Sequence, residues 1–422
     1  MSGEKVTLGR LWALMLTVFV DMVGFLMILP LLPFYATRLG ASAFLVGLMI
    51  SAYAVAQLAT SPTWGKLSDR HGRRPMLLLG ISIAIAAHSL FALACSNWAM
   101  DRFDARGLIA ILFLSRFVQG AGGATTGVVQ AYIGDAIVPE DRAKALGWIS
   151  AATSAGVMIG PAIGSLASLG GPAVPGLTAA ALGAVNFLFA RRHLPESSSL
   201  DERESAARKP RGSLRRRLVQ ISTHPTEPVA RLVWIYAVGM MAFMAMNAVL
   251  ALFLQARFGF TEKSIGYLYT FIGTVSLVMR SLLLGPAVRR FGEIGAMRLG
   301  LGSLVVGFAT VPLAPSVTAF VAAVVFFPIG TALLFPATTS LVSRYSTRHE
   351  LGATMGVQQA YGGMARLCGP IWAGAAFQLF GPGAPFWISA AVAAATLLFA
   401  QGLAPPPASQ RIAPAVEEPI AG

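Results

Sequence analysis

Gly65-Lys66-Leu67-Ser68-Asp69-Arg70-His71-Gly72-Arg73-Arg74-Pro75 separates two apolar runs, each long enough to cross a bilayer. The stretch holds one acid, five groups able to carry positive charge, two glycines and a proline. Such a composition reads as a tight charged hinge at a membrane surface. Gly65 and Gly72 allow close backbone approach and positive φ. Pro75 suits the first position of the helix that follows, and the cationic groups stay on the side of the membrane where synthesis leaves them.

The rest of the chain fits that reading. Of its 422 residues, 55% are hydrophobic and 12% charged, and the mean hydropathy is +0.68. A soluble globule with this composition lacks the polar surface to cover itself. The apolar residues gather in blocks of about 20, the length of a helix that spans the hydrocarbon core, so the chain reads as a polytopic, all-α membrane protein. Cationic loops of such a protein collect in the cytoplasm. The formal charge of +14 therefore needs no nucleic-acid partner. Cys95 and Cys368 lie inside apolar runs and suggest neither a disulfide framework nor a zinc site. No cofactor or metal site is expected. The first apolar run follows only Lys5 and Arg10 and has no small-residue cleavage pattern, which predicts a retained helix.

Twelve spans are predicted, at 11–35, 44–64, 75–95, 107–131, 145–168, 173–190, 232–254, 264–284, 295–314, 317–341, 352–379 and 384–403. With both termini in the cytoplasm, Arg38, Arg102, Arg106, Arg257 and Lys263 fall outside. Arg116, Arg280 and Arg366 fall within spans, and the remaining 24 of the 32 Lys and Arg fall inside the cell. The predicted division is a six-helix bundle at 1–191, a flexible cytoplasmic linker at 192–230 containing Arg215, Arg216 and Arg217, a second bundle at 231–403 and a disordered tail at 404–422. The halves repeat. Gly285 to Gly292 has the spacing of Gly65 to Gly72, while Gly147, Gly160 and Pro161 correspond to Gly356, Gly369 and Pro370. Duplicated bundles facing each other suit alternating-access transport with a site at their interface.

These residues resemble the major facilitator superfamily, and within it the drug–proton antiporter branch that includes the tetracycline efflux pumps. Gly65-Lys-Leu-Ser-Asp69-Arg70-His-Gly72-Arg73-Arg74 is similar to the superfamily's loop 2–3 signature. Arg116-Phe-Val-Gln119-Gly120 resembles its fourth-helix signature, and Gly156-Val-Met-Ile-Gly160-Pro161-Ala-Ile-Gly164 the antiporter signature of the fifth. Asp21, Gly24, Pro30 and Pro33 have the spacing of drug exporters, and Leu194-Pro-Glu closes the sixth helix in a similar way. The resemblance implies twelve helices in two six-helix bundles. It also implies proton-coupled antiport of small hydrophobic or cationic compounds, multidrug or antibiotic efflux, and a monomer in the cell inner membrane. Where the tetracycline pumps carry acids in the third and ninth helices, this chain has Ala87 and Leu304.

Asp21 is the carboxylate predicted deep in a span. Burying an ionised carboxylate costs several kcal/mol unless it is paired or protonated, which marks it as a functional candidate. At about 1.5 Å per residue, Asp21 lies roughly 15 Å from the cytoplasmic edge and Arg116 roughly 22 Å. The expectation is that the two pair when the cavity is closed to protons and part on protonation; a static pair that fixes helix register is the alternative. Asp69 is expected to latch the first bundle to the eleventh helix near Arg344 and Arg348, with Arg73 bonded to Asp135 or Asp141. Gly65, Arg70, Gly72 and Arg74 complete that latch. Gly156, Gly160 and Gly164, every four residues, are expected to clear a face for packing against the second bundle, with Pro161 allowing a kink. Candidate cavity residues are Phe25, Gln57, Gln119, Met244, Asn247, Phe327, Phe335, Gln359 and Arg366, groups that suit bulky apolar or cationic compounds. Arg366, about 21 Å in by the same rise, faces a wet cavity, an interdomain contact or an anionic substrate. Three function classes stand at this point: proton-driven export, uptake or facilitated diffusion of a metabolite, and a membrane receptor or enzyme on the same scaffold. No phosphate-cradling Gly-rich loop supports ATP drive. No nucleophile and base stand at catalytic spacing, so no enzyme is expected. His88 is a lone histidine in a span.

Overall fold

The computed structural model describes residues 11–123, 125–138, 141–197, 214–346 and 350–403. No strand occurs among them, and the helical spans follow one another as α1 (Trp12–Arg38), α2 (Ala43–His71), α3 (Arg73–Ala94), α4 (Ala105–Ala136), α5 (Arg142–Ser168), α6 (Val174–His193), α7 (Pro228–Phe258), α8 (Glu262–Leu282), α9 (Leu284–Thr310), α10 (Val317–Tyr345), α11 (Leu351–Phe380) and α12 (Ala384–Phe399). Eleven of these are long and apolar enough to cross a membrane, so the chain is a multi-pass membrane protein. The remaining one, α11, is long enough but carries Gln358, Gln359, Arg366 and Gln378. It packs between α7 and α2 rather than against lipid alone, so it tolerates polar residues.

Local chemistry sets the ends. Ser42, Asp104 and Ser316 accept hydrogen bonds from backbone N–H groups of α2, α4 and α10, and Thr261 with Ser264 forms a capping box on α8. Pro30 lacks the N–H and crowds the preceding turn, and α1 breaks after Ile28 and resumes at Leu32.

The charged stretch folds differently from the hinge read in the sequence. α2 runs unbroken through Gly65 and Asp69 to His71, and the turn is a single residue, Gly72, at φ 99°. Gly65 does not have positive φ, and Pro75 is the third residue of α3 rather than the first. Gly292 breaks α9 in the same way at φ 70°, so the repeat seen in the sequence is a repeat of backbone geometry.

α1 packs on α5 and α6, α3 on α4 and α6, and α2 on α4; α7 packs on α10, α11 and α12, and α9 on α10 and α12. The two bundles meet along α2 with α11 and α5 with α8. The termini of the described chain, the linker and Gly72 share one face, here the linker face. Arg298 of α9 donates to carbonyls at the end of α12 there, and Trp12 meets Phe189 edge-on and His193 at a tilt. On the far face the bundles touch closely and with twofold likeness. A Cβ at Gly47 would run into the carbonyl of Pro370, and one at Gly374 into that of Ala43. One at Gly266 would meet the carbonyl of Pro161 and the side chain of Ser165. At the linker face, by contrast, Gly65, Gly147 and Gly352 face open space, and Leu146 and Leu282 are exposed. The bundles are therefore sealed at the far face and parted at the linker face.

The fifth-helix stripe corrects an expectation. Gly156, Gly160 and Gly164 abut Phe19, Met22, Val23 and Met27 of α1, inside their own bundle. The second bundle is met instead by Met158, Pro161 and Ser165 on another face of α5. Residues four apart share one face of a helix, and on α5 that face belongs to the closer partner. In the linker, Leu214–Thr223 is a helix docked on α7 and α11 through buried Ile221 and a 2.6 Å bond between Ser222 and Tyr361. The tail at 404–422 and Arg348 lie outside the described residues.

Candidate functional site

Because one face of α1 is committed to the α5 stripe, another turns inward. A Cβ at Gly24 would come within 3.0 Å of the His88 ring, and Asp21, one turn earlier, faces a cavity of about 30 Å³ shared with Phe25, Tyr53, Gln119 and Gly123. That volume holds about one water molecule. Asp21 makes no hydrogen bond or ion pair among the described residues, and no charged side chain acts on it.

Arg116 of α4 is 1% exposed. Its Nε, Nη1 and Nη2 find no hydrogen-bond partner, and its guanidinium lies 5.9 Å from the Phe91 ring centre. Asp21 and Arg116 do not come within the 4.0 Å of an ion pair. The reason is register: Gln119, one turn further along α4, is the residue level with Asp21. The depths of roughly 15 and 22 Å read from the sequence already left about a turn between acid and base. Gln119 donates its amide N–H to His88 Nε2 at 2.9 Å, leaving Gln119 Oε1 without a hydrogen-bond partner. The lone histidine of the sequence thus has a partner, found only through the packing of α3 on α4.

At the Gly72 turn, Arg73 ties three elements together. It donates to Asp69 at 2.8 Å, Asp135 at 2.7 Å and Ser68 at 2.9 Å. Of the two acids offered by the sequence, Asp135 is the partner. The Glu196 carboxylate accepts from the backbone N–H of Arg73 and Arg74 at 2.8 and 3.3 Å, capping α3 where the positive end of its dipole lies. Arg74 also donates to the carbonyl of Arg191, and Arg70 is exposed. Across the parted face, Arg344 pairs with Glu293 of its own bundle at 3.0 Å.

The far face holds a contact that sequence reading missed. Arg38 Nη2, at the end of α1, lies 2.6 Å from both carboxylate oxygens of Glu262, at the start of α8. The Glu262 carbonyl accepts from Ser165 Oγ of α5 at 2.6 Å, and that hydroxyl accepts from Gly266 N–H at 2.8 Å. One cluster therefore bridges the bundles. Charge counting placed Arg38 outside the membrane but had no signal for a partner 224 residues away.

The cavity candidates divide. Phe25 lies 5.0 Å from Tyr53, and Phe335 lies 5.4 Å from Tyr236 and 6.2 Å from Phe243. Arg366 is half-buried and Gln359 exposed. Phe327 is 0% exposed, packed 4.9 Å from Phe308 in the core of the second bundle, and does not line a cleft. Gln57 and Asn247 spend their amides on the carbonyls of Gly123 and Phe243, both at 2.8 Å, and Met244 packs beside Gly369. Amides in an apolar span satisfy nearby backbone carbonyls first. Ala87 and Leu304 are fully buried.

The family model described as Major Facilitator Superfamily matches residues 14–330 and 281–421. Multidrug resistance protein 2 of Bacillus subtilis (strain 168) is 29% identical over 377 residues, covering 87% of this chain and 88% of the relative. Tetracycline resistance protein, class B, of Escherichia coli is 28% identical over 364 residues, covering 85% and 86%. Among solved structures, that of the human organic anion transporter MFSD10 superposes with a TM-score of 0.66 at 22% identity, covering 93% of this chain and 99% of that one.

Proposed function

The chain belongs to the major facilitator superfamily, and on that premise we propose that it is a secondary active transporter exporting small hydrophobic or cationic compounds in exchange for protons. Its family and fold are those of transporters. In this reading the linker face is cytoplasmic, both termini lie in the cytoplasm of a cell with an inner membrane, and residues 1–191 and 231–403 rock about the cleft between them. The arrangement described above is then the cytoplasm-open one.

The observation that carries the reading is a half-buried, partnerless carboxylate, Asp21, at a small pocket of the first bundle, about one helical turn from an enclosed, partnerless guanidinium, Arg116. Neither arrangement is cheap at rest, because an isolated buried charge costs several kcal/mol. Protonation neutralises Asp21 in the cytoplasm-open state. When the proton leaves, the carboxylate gains by moving toward Arg116, and the α1 break at 29–31 gives the helix room to shift. The shift biases the equilibrium between the two bundle arrangements, which is all that a coupling ion has to do. Two latches alternate with it. Arg38 with Glu262 holds the cytoplasm-open state, and Asp69 holds α11 in the outward-open state, supported by Arg73, Asp135 and the turn at Gly72. Gly156, Gly160, Pro161 and Gly164 keep α1 and α5 moving as one body.

The test is an accumulation screen in cells lacking their own exporters, followed by counterflow of an active compound in inverted vesicles with and without a pH gradient. Export coupled to protons predicts gradient-driven uptake that Asp21→Asn abolishes while the protein stays inserted. Full gradient-coupled transport by that variant would dispose of the reading.

A further inference from the structure

Among the described residues Arg366 is, with Arg116 and Arg280, a cation within a span that has no acidic partner. Four other described arginines are held, Arg38 by Glu262, Arg73 by Asp69 and Asp135, Arg344 by Glu293, and Arg298 by backbone carbonyls, while Arg280 lies exposed near the end of α8. Arg116 is sealed beneath Phe91. Arg366 is neither sealed nor held. It is half-buried and makes no hydrogen bond or ion pair among the described residues.

Its position is set by the far-face seal. Ser51 of α2 donates to the carbonyl of Leu367 at 2.7 Å, and Gly47 packs on Pro370 just beyond. Arg366 therefore lies next to the point where the bundles close. Tyr53 of the first bundle and Tyr236 of the second both lie within its electrostatic reach. Each tyrosine belongs to an aromatic group, Phe25 with Tyr53 on one wall and Tyr236 with Phe335 on the other. A guanidinium offers five N–H donors in a planar fork that matches a sulfonate or carboxylate. Leaving those donors unmatched in a part-buried site is costly, and water in an open cleft satisfies them only until a better acceptor arrives.

We propose that Arg366 is an anion subsite, so that the cleft also accepts flat aromatic compounds carrying a sulfonate or carboxylate. This rests on the cleft being the substrate site, as proposed above. It adds organic anions to the hydrophobic and cationic compounds that Asp21 and the aromatic walls suit.

The test is equilibrium binding of two dyes with one skeleton to the full chain in lipid nanodiscs. One is 8-anilinonaphthalene-1-sulfonate, which is anionic, and the other is neutral N-phenyl-1-naphthylamine. The expected result is that Arg366→Gln weakens the sulfonate about tenfold or more, as loss of a charge-assisted hydrogen bond does, and leaves the neutral dye within twofold. Arg366→Lys retains part of the preference, which separates lost charge from a lost fold. If Arg366→Gln weakens neither dye, or both alike, the anion subsite is wrong while the cleft as a binding site stands. If neither dye binds the wild-type chain above empty nanodiscs, the cleft reading and the subsite fall together.

Discussion

Replacing Glu262 with Gln tests whether the far face is held by charge. The carboxylate takes Arg38 Nη2 on both oxygens at 2.6 Å, and its partner is on the other bundle, so the bond exists only while the far face is closed. Glutamine keeps the shape and one acceptor but removes the charge. A charge-assisted hydrogen bond contributes about 1.5–3 kcal/mol when enclosed. Here the Glu262 side chain is 9% exposed but that of Arg38 is 51% exposed, and solvent screening brings the figure toward about 1 kcal/mol. The Ser165 hydroxyl bonds the backbone of Glu262 and survives the change. A shift of about 1 kcal/mol moves the balance of far-closed and far-open states roughly fivefold. Spin labels on the far ends of α1 and α8, read by pulsed electron resonance, should show the longer-distance population grow by that factor, and high salt should mimic the effect in the wild type. Unchanged distance populations in Glu262→Gln, with Arg38→Gln also silent, would refute the reasoning.

Gly266→Val places carbon where the carbonyl of Pro161 and the side chain of Ser165 lie; it should block far-face closure, raise thiol labelling of far-face cysteines and abolish transport, while Gly147→Ala, facing open space, should leave all three near wild type. Gly160→Leu should lower thermal stability through the α1 contact, by about 1–3 kcal/mol for overpacking; a normal melt with an altered state balance would instead return the stripe to the bundle interface. Arg73→Ala removes bonds to Asp69, Asp135 and Ser68 at once and should cost about 1–3 kcal/mol, since both carboxylates are part-exposed, measured as a lower melting temperature; Arg73→Lys should recover only part, since a single ammonium does not span both acids. Gln119→Leu strands His88 Nε2 and removes the amide beside Asp21, and should shift the pH profile of transport without loss of insertion; an unmoved profile would confine Gln119 to packing.

The fold was legible because its signals are local and repeated. Span length, cationic sidedness and the doubled Gly72 and Gly292 turns each follow from composition or spacing, and the polar α11 shows where hydropathy alone falls short. The individual residues of the site were legible to the extent that they break a rule: Asp21 and Arg116 are charges where none belong. Their relation was not legible, since a difference of one turn between α1 and α4 decides that Gln119 faces the acid, and span ends read from sequence are uncertain by that much. The Arg38 and Glu262 contact, the His88 and Gln119 pair and the true partner of the fifth-helix glycines depend on which helices touch. Glycine spacing says that a helix approaches closely but not which one. Phe327 was misplaced for the same reason, because a phenylalanine in a span looks alike in a core and in a cleft.

The most direct test of the account measures protons released when a hydrophobic cation binds. Purified chain in weakly buffered detergent, mixed with tetraphenylphosphonium and followed with a pH indicator dye, should acidify the solution as the cation displaces the proton held on Asp21. The Asp21→Asn variant should bind the cation without acidification. Equal acidification by both proteins would contradict the claim that this carboxylate carries the exchanged proton.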